Sequence, residues 1–257
     1  MTLLDGFILV CAGLAAGITN SIAGGGSLIT FPALVAVGYP ALAANVTNSV
    51  ALCPGYLSSV LTYRAELGEQ RHRIESLAPA AVIGAIAGTI LLLNAPPGVF
   101  KAVVPYLVFM AVGLLALQPR IAAYLQRRRA AAGTTDALQE HRAGSLRLVV
   151  FVASVYGAYF GGALGVILVA VLGVFLTATA QQINALKNGM SLLINSVALV
   201  GFVLFGPVAW EAAAIVGPAS LVGGALGGSL AKRLSAKALR RTVIIYGVFA
   251  GIKLLIG

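Results

Sequence analysis

Apolar runs alternate with short polar or charged ones along the whole chain, over roughly 3–19, 28–37, 41–63, 76–93 and 99–117. They recur over 146–160, 166–177, 183–205, 212–230 and 242–256. About 20 helical residues are needed to cross ~30 Å of hydrocarbon. The runs 41–63, 76–93, 99–117, 183–205 and 212–230 are long enough, and 242–256 is marginal. The pairs 3–19 with 28–37 and 146–160 with 166–177 differ: each is two short runs around a Gly-rich polar knot. The knots are Thr19-Asn20-Ser21-Ile22-Ala23-Gly24-Gly25-Gly26-Ser27 and Gly161-Gly162-Ala163-Leu164-Gly165. Each pair reads as a re-entrant hairpin or as two short spans, and both leave the chain on the side from which it came. Irregular backbone at that depth survives only against protein or a water-filled cavity.

The pattern therefore predicts an all-α polytopic membrane protein, and composition agrees. Of 257 residues 60% are hydrophobic and 9% charged, with a mean hydropathy of +0.99, against about a quarter charged in a soluble domain. That excludes an ordinary soluble enzyme. Gly (31) and Pro (10) suit close helix packing and kinks. Cys11 and Cys53 both lie in apolar runs and read as small packing residues. The N-terminal run lacks a basic start and carries Asp5, so it reads as a retained segment.

Lys plus Arg number 17 against 7 Asp plus Glu, for a net charge of +10. A basic chain suggests nucleic acid only until the cations are placed. Fourteen of them fall in three loops: Arg64, Arg71 and Arg73; Arg120, Arg127, Arg128, Arg129, Arg142 and Arg147; Lys232, Arg233, Lys237, Arg240 and Arg241. The crossings put these loops on one side, which the positive-inside rule makes cytoplasmic, and both termini outside. Nucleic acid is thus not an expected partner; the lipid bilayer is.

A shift of 140 residues superposes the chain on itself without a gap. Gly17 meets Gly157, Gly25 meets Gly165, Asn48 meets Asn188, Gly84 meets Gly224 and Tyr106 meets Tyr246. The predicted organisation is a first membrane repeat over 1–118, a basic cytoplasmic linker over 119–145 and a second repeat over 146–257. Each repeat crosses an odd number of times, so the two are inverted, an arrangement common among secondary transporters.

Polar residues inside the apolar runs are the candidate chemistry. Asn45, Thr47, Asn48 and Ser49 open one run; Asn184, Lys187 and Asn188 open its repeat equivalent. Asn184, Asn188, Ser191 and Asn195 share one helix face, flanked by Lys187. An intramembrane cation marks a functional site by default. The plainer alternatives are interhelical hydrogen bonding by the Asn and Ser residues, close packing by Gly24 to Gly26, and a Lys187 that snorkels to the interface. The functional reading makes them an oxyanion pocket. Backbone N–H groups of the knots (Asn20, Ser21, Gly24, Gly25, Gly26, Gly161, Gly162) and helix N-termini attract an anion; Asn45, Thr47, Asn48, Asn184, Asn188 and Ser191 add neutral donors, and Lys187 adds charge. No carboxylate lies deep in a run, and no P-loop, metal-ligand cluster or Ser–His pair appears. Neither catalysis, a cofactor nor a bound metal is expected.

The stretch Ala16-Gly17-Ile18-Thr19-Asn20-Ser21-Ile22-Ala23-Gly24-Gly25-Gly26-Ser27-Leu28-Ile29-Thr30-Phe31-Pro32 resembles the first Gly-rich signature of the TauE/SafE family. Gly38-Tyr39-Pro40 and Ala44-Asn45-Val46-Thr47-Asn48-Ser49 are similar to its next block. The second half departs from it, with Leu172 at the place of Pro32 and Leu186-Lys187 where a Thr is expected. The resemblance implies a multi-pass protein of the bacterial plasma membrane that exports a small sulfur-containing anion, with sulfite the first choice over an organosulfonate. A channel or importer for another small anion, and a non-transporting scaffold acting through the basic linker, are the alternatives. Homodimerisation is left open.

Overall fold

A computed structural model of the chain describes residues 1–22, 24–131, 137–230 and 236–256. It is built from α1 (Leu3–Ile22), α2 (Ser27–Ala36), α3 (Ala41–Thr62), α4 (Arg64–Glu69), α5 (Arg71–Leu93) and α6 (Pro97–Ala131). There follow α7 (Ala137–Tyr159), α8 (Leu164–Phe175), α9 (Ala180–Phe205), α10 (Trp210–Leu230) and α11 (Ala236–Ile256). No strand occurs among the described residues, so the all-α expectation holds. Among them, Leu3–Ile22, Arg71–Leu93, Gly98–Ile121 and Ala180–Phe205 are long and apolar enough to cross a membrane.

The outer faces of this bundle carry large apolar side chains: Leu3 is 97% exposed, Phe205 78% and Phe249 68%. Asn45, Thr47, Asn48, Lys187, Asn188 and Ser191 are buried. Apolar surface outside and amides inside is the arrangement hydrocarbon demands.

The short pairs resolve into one long and one short helix. α1 has 20 residues and α2 only 10, about 15 Å of rise, too short to span. The Tyr39 hydroxyl lies 3.8 Å from the Met1 sulfur, so α2 ends on the face where α1 begins and the pair is a hairpin. α7 and α8 form the second such pair, with 23 and 12 residues. The sequence placed the long arms at 3–19 and 146–160; α1 runs on to Ile22 and α7 starts at Ala137. Polar and charged residues end an apolar run without ending a helix. The linker 119–145 is likewise largely helical, because α6 continues to Ala131. Residues 132–136, Lys232 and Arg233 of the basic loops, and Ala23 of the first knot, lie outside the described residues.

Packing pairs the first part of the chain with the last. α10 lies against α1 and α3, while α5 lies against α7 and α9; α3 packs on α9 and α6 on α11. Where α1 meets α10 the approach is close: a Cβ on Gly17 would stand 2.2 Å from the Ser220 carbonyl oxygen. α9 begins at a capping box, in which Thr179 Oγ1 accepts from Gln182 N–H (3.2 Å) and Gln182 Oε1 accepts from Thr179 N–H (3.0 Å).

Candidate anion pathway at the broken helices

A helix that stops inside a membrane leaves its last carbonyls without partners, and hydrocarbon offers none. α1 stops at Ile22. The missing donors come from α9: Lys187 Nζ donates to the Asn20 carbonyl (2.7 Å) and Asn184 Nδ2 to the Ser21 carbonyl (3.1 Å). α7 stops at Tyr159, and α3 supplies the donor, Asn45 Nδ2 to the Tyr159 carbonyl (2.9 Å). The N-terminal parts of α3 and α9 thus finish broken helices 114 and 163–167 residues away in sequence. Lys187 does not snorkel; its ammonium is buried against the partly negative end of α1. One of its three N–H donors is used there.

The two knots meet. Gly24, at φ +80°, sits so close to Gly165 that a Cβ on either would stand 2.9 Å from the other's Cα; the Lys187 chain passes beside them, its Cδ 3.2 Å from that position on Gly165. The N–H groups expected to await an anion are mostly engaged. Gly24 N–H donates to the Thr19 carbonyl (2.8 Å), Gly26 N–H to Asn20 Oδ1 (2.7 Å) and Gly161 N–H to the Tyr156 carbonyl (3.3 Å), while the Gly162 carbonyl accepts from the Tyr156 hydroxyl (2.6 Å). Buried backbone must be paired, and a tight turn pairs itself. Gly25 is buried between Leu115 and Leu28. The knots are therefore packing joints with few free donors.

What remains unpartnered is side chain. Asn48 Nδ2, both amide atoms of Asn188, and the Ser21 and Ser191 hydroxyls are buried without a hydrogen-bond partner, as is Asn45 Oδ1. The Thr30 hydroxyl hydrogen-bonds Asn48 Oδ1, which turns the Asn48 N–H₂ outward from α2. Asn195 instead spends its amide on the Ser191 carbonyl (2.8 Å). Thr47 Oγ1 accepts from Ala209 N–H (2.8 Å).

Asn48 and Asn188 sit on the two long helices α3 and α9. α3 and α9 run antiparallel: Thr47 meets Ala209, whereas Tyr63 lies near Asn184. Asn48 and Tyr63 are 15 residues apart, about 22 Å of helix. The orphaned amides of Asn48 and Asn188 therefore lie at different levels of the α3–α9 pair, and the Gly24–Gly165 contact joins the two knots.

Connecting segments pack against both ends of the α3–α9 pair. α4 lies across the start of α9: Gln181 donates to Glu66 (2.6 Å) and Gln182 to Glu69 (3.3 Å), and Leu67 packs on Gly189, while Arg73 at the start of α5 donates to the Thr177 carbonyl just before α9 (3.3 Å). At the other end Gly206 packs on Val46. The sequence reading missed α4 and Thr30. Arg64-Ala65-Glu66-Leu67-Gly68-Glu69 is a short amphipathic pattern hidden in a charged loop. Among the described residues no group of His, Cys, Asp and Glu is placed to hold a metal.

Comparison with known proteins agrees with this architecture. The family model described as Sulfite exporter TauE/SafE matches residues 9–254. A probable membrane transporter protein of Sinorhizobium is 30% identical over 253 residues, covering 96% of this chain and 91% of that one. One from Haemophilus influenzae is 27% identical over 242 residues (93% and 89%). Probable membrane transporter protein YfcA of Escherichia coli K12 is 28% identical over 256 residues (96% and 88%). No solved structure matches. With the match running from the first helix to the last, the chain belongs to the TauE/SafE family.

Proposed function

We propose that this multi-pass membrane transporter exports a small sulfur oxyanion, sulfite first among them, across the bacterial plasma membrane, with its basic loops cytoplasmic and its termini outside. That it is a transporter and not an enzyme follows from the family and from its relatives; anion, direction and orientation are our reading. The observation that carries it is the pair of buried side-chain N–H₂ groups without an acceptor at repeat-equivalent positions, Asn48 and Asn188. A buried N–H₂ without an acceptor costs about 1–3 kcal/mol, and an oxyanion would satisfy it with its acceptor oxygens.

The inverted repeat read from the sequence is consistent with this proposal. A 140-residue shift turns α1 into α7, α3 into α9 and α5 into α10. It also turns the α1–α10 and α3–α10 packings into α7–α5 and α9–α5, and the Asn184 cap on α1 falls beside the Asn45 cap on α7. Two stations exchanged by that relation suit a carrier that opens alternately to each side. The α9 station has Asn188, Ser191 and the remaining Lys187 donors; it takes the anion from the cytoplasm once α4 moves. The α3 station, with Asn48, releases it. An inside-negative potential favours anion exit by ~2.3 kcal/mol per charge per 100 mV. Such export requires no proton relay, and among the described residues no Asp or Glu is buried.

Efflux of sulfite from proteoliposomes tests this. Asn48→Ala and Asn188→Ala are each expected to slow it at least tenfold with the protein still folded; native rates in both would remove the stations. Thr30→Val frees the Asn48 amide to rotate. It should raise the half-saturating sulfite concentration about 3–10-fold, the worth of one hydrogen bond, and Thr30→Ser should restore it.

A further inference from the structure

Three of the 17 cations lie outside the basic loops, and one of these is Lys187. The other two, Lys101 and Lys253, line a single hollow of about 700 Å³ between the end of α2, the start of α6 and the end of α11. Its walls are apolar, with Val35, Phe249 and Leu254 among them, and Tyr39 and Tyr246 stand in the lining; no lining residue is acidic. Lys101 and Lys253 are exposed. α3 leaves this end at Ala41 and reaches the basic segment 64–73 after 22 residues, about 33 Å away, so the hollow lies at the opposite membrane face.

Cations are depleted on that face by the rule that concentrates them on the other. Two of them, from two helices, opening on one apolar hollow at the depth where helices end, is the chemistry of a phosphate above acyl chains. Tyrosines at that level are the usual interfacial anchors.

We infer that this hollow is a binding site for an anionic phospholipid of that leaflet, its phosphate held by Lys101 and Lys253 and an acyl chain laid along Val35, Phe249 and Leu254. The site is separate from the transport stations and serves to pin α11 and α6 to the α2 hairpin.

Titration of the purified full-length protein in detergent with phosphatidylglycerol or phosphatidylcholine, read by native mass spectrometry and thermal melting, tests it. Phosphatidylglycerol should bind and raise the melting temperature, and phosphatidylcholine should not. Lys101→Gln/Lys253→Gln should weaken phosphatidylglycerol binding about 30-fold (~2 kcal/mol, from two cations at an interface). The Lys101→Arg/Lys253→Arg pair should retain it. Equal binding of both lipids, undiminished binding in the Gln pair, or a dimer whose formation displaces the lipid and survives the Gln pair would each overturn the assignment. The last would give the hollow to a second copy of the chain.

Discussion

Lys187→Ala is expected to abolish sulfite efflux and to lower the melting temperature of the purified protein together. Lys187 is 1% exposed and its ammonium is the donor for the Asn20 carbonyl. Truncation leaves that carbonyl bare inside the membrane, at about 1–3 kcal/mol, and opens a cavity where the butyl stem lay, at roughly 24 cal/mol per Å³. It also removes the one charged side chain buried among the described residues. Lys187→Met separates the effects, since it fills the cavity and lacks the donor. The Met variant should melt closer to the native protein than the Ala variant does and still transport at least tenfold more slowly. Native efflux in the Met variant would reduce Lys187 to a packing residue.

The second large effect is expected at the joint of the two knots. Gly24→Ala forces a side chain into φ +80°, about 1–2 kcal/mol for an L-residue, and drives its Cβ to 2.9 Å from Gly165 Cα. Gly165→Ala meets the same wall from the other side without the unfavourable φ, so it isolates the contact. Both variants should reach the membrane in reduced amount, with Gly24→Ala the worse, as counted by fluorescence-detected gel filtration. Because both act on one contact, the double variant should cost less than the sum of the singles. A purely additive double variant would mean that the knots do not bear on each other.

Much of this was legible because hydrocarbon imposes simple rules. The apolar runs gave most of the helices long and apolar enough to span a membrane. Hydropathy located the helix ends less well. Asn20 and Ser21 look like loop residues, yet α1 includes them, because donors 160 residues away let the helix continue. Which amides spend their hydrogens on backbone, as Asn45 and Asn184 do, and which are left over, as Asn48 and Asn188 are, depends on partners no sequence spacing reveals.

The reciprocal capping of α1 by α9 and of α7 by α3 has a bearing on biogenesis. As the chain leaves the ribosome, α1 enters the membrane while its donors at Asn184 and Lys187 are still unsynthesised, more than 160 residues behind. The first half must then wait in the bilayer with open carbonyls, a substrate for membrane proteases and chaperones. Completion arrives as a single late event, when α9 inserts. A ribosome stalled before residue 184 should therefore yield a short-lived fragment, and two separately expressed halves should stabilise each other only when made in the same cell.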